Sequence, residues 1–325
     1  MSKGSCRNII GGTAAAALLL TGCSAVTTGA GDEAVTIGIV QLDTSTIFAN
    51  QEAEAQKAAY EALGWETVVT NSAGSPATAI SAMQNFVQRG VDAIVVQTYT
   101  SEQITSGLAA AKKAGIPVFN TAGGEAGVDM AGAIDINLAE PINSLVVDEV
   151  KSGERFELLT LVFESGTPCR IRNDDLLTRL KDYPNVTITR QDVIVPGAQQ
   201  QAQQATSGWL QANPETSGTK HIIWPCFADP AVGAVSAEKQ LDRGPYSMYT
   251  WDLTGPAIEA IRDGSMNGVA WLDADKSGQA IADMIEEYFE DPEGWEPRTE
   301  EGPHEVVTPD NLDAFLEKHP EVTAK

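Results

Sequence analysis

Gln84-Asn-Phe-Val-Gln-Arg-Gly-Val-Asp-Ala-Ile-Val-Val96 carries the end of a helix, a turn at Gly90 and an apolar, β-branched strand in one short stretch. A helix is predicted over 76–89 and a strand over 91–96. Upstream, the same alternation gives a strand over 36–40, a helix over 50–63 and a strand over 66–70. Downstream, it gives a helix over 102–114 and a strand over 116–119. Strands that are apolar throughout, rather than on alternate residues, are buried on both faces. Placed between helices, they predict a parallel sheet covered on both sides. The fold class is therefore α/β, with a doubly wound layout.

The pattern then starts again. Helices are predicted over 140–150, 173–181, 198–211, 231–241 and 256–262, and strands over 156–163, 186–195, 222–224 and 247–251. A second unit of similar size predicts two lobes with a cleft between them. Ligands of open α/β sheets sit beyond the carboxyl ends of the strands, so both sets of strand ends would face that cleft.

The order of these elements, with Ala114-Gly-Ile-Pro-Val118, Asp229-Pro-Ala-Val-Gly-Ala234 and Thr250-Trp-Asp252, resembles the type I periplasmic sugar-binding proteins, nearest to the ribose-binding branch. The likeness runs from Thr36 to about Asp310. It implies two doubly wound lobes joined by a hinge of three crossovers, near 135–137, 271–273 and 305–307. One lobe would hold 34–135 and 273–304, the other 136–272 and 305–325. Such a hinge permits closure around a ligand. The implied function is capture of a small sugar or polyol and delivery to the permease of an ABC importer, by a monomer without cofactor, metal or catalytic residues.

The resemblance also assigns residues to the cleft. Phe48 would stack on a sugar ring, whose C–H face suits an aromatic face; a residue packing inward at a helix start is the alternative. Thr46, with Asp43 and Ser45, shares its loop. Asp252 would accept ligand hydroxyls through charge-assisted bonds, or cap the helix that follows. Trp251, Trp271, Trp224 and Phe227 lie near the same strand ends, where at least two aromatics should form a stacking wall. Arg170 or Arg172 would supply a guanidinium fork from a loop, with Asn173 as a third choice. The branch's Asp-Arg pair after the fourth strand is replaced by Ala122-Gly123, and an acid of the eighth-strand loop by Ala228. Two hydroxyl anchors are thus missing, and Asn120 and Thr121 are the available substitutes.

The amino terminus speaks to location. Lys3 and Arg7 precede an apolar run over 9–20, too short for a permanent span of roughly 20 residues and shaped like a secretory signal. Leu20-Thr21-Gly22-Cys23 resembles the lipobox of bacterial lipoproteins, which implies a signal peptide over 1–22, lipidation at Cys23 and a tether over 23–33. The chain would sit outside the cell membrane, held to it by the lipid. Two acyl chains would be required, because each buried methylene contributes only about 0.8 kcal/mol.

Composition narrows the function further. Removing the signal would move the formal charge from −24 to −26. Such a surface repels phosphate backbones, which argues against nucleic-acid binding; salt adaptation and solubility are the plain alternatives. Besides Cys23, Cys169 and Cys226 remain after signal removal, either as a disulfide, which an oxidising compartment would preserve, or as two separate thiols. His221, His304 and His319 lack the spacing of a metal site. The sequence contains no Gly-x-Ser-x-Gly elbow, His-Glu-x-x-His, P-loop or Gly-x-Gly-x-x-Gly, which weighs against an extracytoplasmic carbohydrate-active enzyme. A ligand sensor feeding a chemoreceptor or sensor kinase is the closer rival. A repressor of similar fold would need a basic helix-turn-helix where this chain has its signal.

Overall fold

A computed structural model describes residues 34–323 except 125, 127, 128, 215, 217 and 245. The expected signal over 1–22, the expected tether over 23–33 and the expected lipidation site Cys23 lie outside the described residues.

Chain order begins β1 (Thr36–Gln41), α1 (Ile47–Ala62), β2 (Glu66–Asn71), α2 (Pro76–Arg89), β3 (Ala93–Gln97), α3 (Thr105–Ala114), β4 (Val118–Thr121) and β5 (Gly132–Asp135). The second run is α4 (Ala139–Val150), β6 (Arg155–Val162), α5 (Thr167–Leu180), β7 (Val186–Asp192), α6 (Ala198–Ala212), β8 (Thr219–Pro225), α7 (Ala228–Leu241), β9 (Ser247–Trp251), α8 (Gly255–Arg262) and β10 (Gly268–Leu272). The chain ends with α9 (Ala274–Glu290), β11 (Arg298–Glu301), β12 (His304–Val307) and α10 (Leu312–Lys318). Among the described residues, no helix is long and apolar enough to cross a membrane.

Two sheets form, in the orders β11-β5-β4-β3-β1-β2 and β12-β10-β9-β8-β6-β7. Pairings are parallel except β12, which runs antiparallel to β10. The local chemistry explains α2: the Ser75 hydroxyl accepts the Thr78 amide, Pro76 opens the first turn, and Gly90 closes the helix in the left-handed region at φ 69°. β3 is buried along its whole length, as its unbroken apolar run requires. α9 returns from the second sheet to pack on α1. The contact is close because Gly278 has no side chain; a Cβ there would lie 2.8 Å from the Ala55 carbonyl carbon and the Gln56 nitrogen.

Several boundaries differ from expectation. α1 starts at Ile47 rather than 50, so Phe48 belongs to its first turn and not to a loop. α5 starts at Thr167 rather than 173, which moves Arg170 and Arg172 from a loop onto a helix. Pro168 fits the first turn of a helix, where its missing N–H costs nothing, and the polar run that follows hides the start. The crossings between sheets follow β5, β10 and β11. The third falls at Gly302-Pro303, because 305–307 already belongs to β12.

Candidate functional site

The carboxyl ends of the two sheets line one shared, partly open cavity. α1 contributes Phe48 and Glu52, four residues apart and therefore on one helical face. The opposite wall comes from Phe163 after β6, Arg172 on α5, Phe227 after β8 and Asp252 after β9. The rings of Phe163 and Phe227 are 6.4 Å apart and tilted by 54°. Thr98, Ala122 and Asp252 each follow a strand, line the cavity and hold φ of 72°, 62° and 67°. Such conformations cost about 1–3 kcal/mol each in non-glycine residues and cluster at functional sites.

Arg172 organises the second wall. It is buried, and its guanidinium donates to the carbonyls of Asn137 (2.7 Å), Ile136 (2.7 Å) and Cys226 (2.8 Å). Its carbon lies 4.6 Å from the Trp251 ring centroid. The fork thus ties α5 to the first crossover and to the end of β8. A disulfide joins Cys169 to Cys226 beside it. Burial lowers the Arg172 pKa to about 10, while Asp252 and Asp135 oppose that shift.

Three carboxyl groups gather here, all with raised pKa. Burial raises Asp252, against the Arg172 charge and a hydrogen bond accepted from the Ala228 amide at 3.3 Å. Asp229 is pushed up to about 6 by burial, although its Oδ2 accepts the Ile47 amide across the cleft at 3.2 Å. Burial pushes Glu52 up to about 8, opposed by the Thr121 hydroxyl and reinforced by the Asp252 charge.

These shifts set a pH dependence. A carboxyl whose pKa is raised on folding adds stability that is complete below its unfolded value and is lost as pH rises through its folded value. For Glu52 the window runs from 4.5 to about 8, and for Asp229 from 3.8 to about 6. The empty protein is therefore expected to melt at a lower temperature near pH 8.5 than near pH 5, and Glu52→Gln should flatten the upper part of that slope. A melting temperature that rises over this range would contradict the assignment.

Of the residues expected in the cleft from sequence, Thr46, Phe48, Arg172, Phe227 and Asp252 line the cavity. The others do not line it. Trp224 and Trp251 are fully buried behind the wall, 5.2 Å apart, and donate to Asn143 Oδ1 and to the Leu138 carbonyl. Trp271 packs against Phe315 and His319 and faces a separate crevice with Gln51 and Asp273. Asn120 is spent on the Tyr99 carbonyl and the Gly123 amide, and Thr121 stands beside Glu52. Arg170 lies outside the cavity, where it donates to the Glu164 carbonyl, and Asn173 is buried without lining it. Asp252 does not cap α8; Thr254 does.

Sequence reasoning missed Glu52, Phe163 and Asp229. The four-residue step from Phe48 could have found Glu52. Asp229 stood in a motif already singled out, in the first turn of α7.

The chain belongs to the periplasmic binding protein domain family, whose sequence profile matches residues 37–292. The xylitol-binding protein of Mycolicibacterium smegmatis is 24% identical over 322 residues, 95% of this chain and 87% of that protein. An ABC transporter solute-binding protein from Agrobacterium vitis with bound allitol superimposes with a TM-score of 0.78 at 22% identity, over 88% of this chain and 99% of that one. A Mycobacterium smegmatis protein in complex with β-D-fucofuranose gives 0.75 at 20% identity, over 90% and 97% of the two chains. Membership makes the chain an extracytoplasmic binding protein rather than an enzyme.

Proposed function

We propose that this chain captures a small sugar or polyol between its two lobes and presents it to the permease of an ABC importer, tethered to the outer face of the cell membrane through a lipid on Cys23. One lobe comprises 34–135 and 273–302 and the other 136–272 and 303–325, with the third crossing set at Gly302-Pro303 as in the fold, and the protein works as a monomer. The observation that carries this reading is the cavity itself. Aromatic faces (Phe48, Phe163, Phe227) and a few buried polar groups (Arg172, Asp252, Glu52) converge from both lobes on one small space. Apolar walls with sparse, well-placed polar groups are what a small ligand needs. The xylitol, allitol and fucofuranose of the relatives support a polyol or sugar as cargo.

Contacts across the mouth support closure as the signal to the permease. The Ile47 amide meets Asp229, and Gln103 Nε2 donates to the Ser165 carbonyl at 3.1 Å. These groups lie on different lobes, so the bonds exist only when the cleft is shut. A thermal-shift panel of pentoses, hexoses, pentitols and hexitols tests the reading. A ligand at 100 times its Kd should stabilise the protein by about 2.7 kcal/mol. A flat response to the whole panel would overturn it.

The mouth also yields a specific expectation. Gly74 meets the Val195 carbonyl of the other lobe, and a Cβ there would lie 2.4 Å from that oxygen. Gly74→Asn, whose side chain tolerates the left-handed backbone at φ 70°, overpacks the closed state at that contact by about 1–3 kcal/mol. Affinity should fall roughly ten- to hundred-fold in a titration. Unchanged affinity would argue against closure at this edge.

A further inference from the structure

The cleft holds more acid than base, and the imbalance falls on one side chain. Among the described residues lining the cavity, Arg172 is the sole cation. Its hydrogen bonds go to three carbonyls, and the carboxylate whose ionisation it favours is Asp252. Glu52 faces it from the opposite lobe without a countercharge. That side chain is 2% exposed, and its Oε1 has no hydrogen-bond partner.

The rest of its surroundings is neutral. The Thr121 hydroxyl stands beside it, and Gln56 and Tyr60 follow at one-turn steps along α1, both buried. The charge that bears on Glu52 is Asp252, of the same sign. A buried carboxylate without a cation is costly, so the empty cleft keeps Glu52 protonated. A ligand hydroxyl would leave that state unchanged. A ligand ammonium would supply the missing charge and turn a neutral hydrogen bond into a charge-assisted one, roughly twice as strong. The ring of Phe48, one turn away on the same face, also suits a cation.

We propose that the ligand carries a basic nitrogen seated against Glu52, making it an amino-substituted polyol or sugar whose hydroxyls reach toward Asp252 and Arg172. The inference rests on the transport-receptor reading above and narrows its cargo.

Calorimetric titration near pH 7 with matched pairs tests it: an amino-alditol against its parent alditol, and an amino sugar against its parent sugar. The ammonium member of a pair should bind about ten-fold tighter or more. Glu52→Gln should abolish that preference, measured as the ratio within the pair. A second measurement needs no variant. Because Glu52 ionises when an ammonium arrives, titrations in buffers of different ionisation enthalpy should show about one proton released per ammonium ligand and none for its parent. If parent polyols bind as tightly as their amino partners, or no proton is released, this inference falls while the receptor reading stands. If neither members of the pairs nor the wider sugar and polyol panel bind, the receptor reading falls and takes the inference with it.

Discussion

Arg172→Ala is expected to destabilise the protein by about 3–5 kcal/mol, because three buried hydrogen bonds from a charged donor are lost together, each worth roughly 1.5–3 kcal/mol and not fully additive. The substitution strips donors from the carbonyls of Ile136, Asn137 and Cys226 and removes the positive charge that favours ionisation of buried Asp252. It also empties the space over the Trp251 ring. Arg172→Lys should recover only part of the loss, because a single ammonium cannot reproduce a fork that serves two separate chain segments. Urea unfolding midpoints of the three proteins measure this. A cost for Arg172→Ala below about 1 kcal/mol, typical of surface substitutions and mild core changes, would contradict the role given to the fork.

Asp252→Ala is expected to weaken ligand binding roughly thirty-fold or more, since hydrogen bonds to a charged group are worth about 1.5–3 kcal/mol each and the ligand's hydroxyls would stay buried without an acceptor. Asp252→Asn separates charge from shape. Asparagine tolerates the left-handed backbone at φ 67° and can still accept the Ala228 amide. It should therefore fold like the parent and fall between parent and alanine variant in affinity. Titration calorimetry with whichever ligand the panel identifies gives both values. An alanine variant that folds cooperatively and binds unchanged would remove Asp252 from the site.

The architecture was legible because unbroken apolar strands and helical stretches differ in period, and because the pattern repeats once along the chain. Phe48 and Asp252 were assigned to the cleft through the family resemblance, and both line the cavity. The tryptophans misled for a physical reason. Trp224 and Trp251 belong to strands covered on both faces, so proximity to a strand end did not expose them, and their indole N–H groups found partners inside the second lobe. Arg172 was one of three open candidates in the sequence, with Arg170 and Asn173, and its use as a device was not legible. Its helix begins in a stretch too polar to show periodicity, and its partners are backbone carbonyls, which leave no mark in sequence. Glu52 was hidden among other acids of α1. Glu54 and Glu61 are exposed, whereas Glu52 points inward, and only the packed structure separates them.

Small-angle scattering with and without a saturating ligand tests closure of the two lobes most directly. Three crossovers and a few hydrogen bonds across the mouth leave the empty cleft free to open, and a ligand touching Phe48 on one lobe and Asp252 on the other gains its full contacts only when the cleft shuts. The ligand-free protein should therefore show a larger radius of gyration than the closed structure, and ligand should bring its profile onto the closed form without changing the molecular mass. Superimposable profiles in the two conditions would contradict capture by closure.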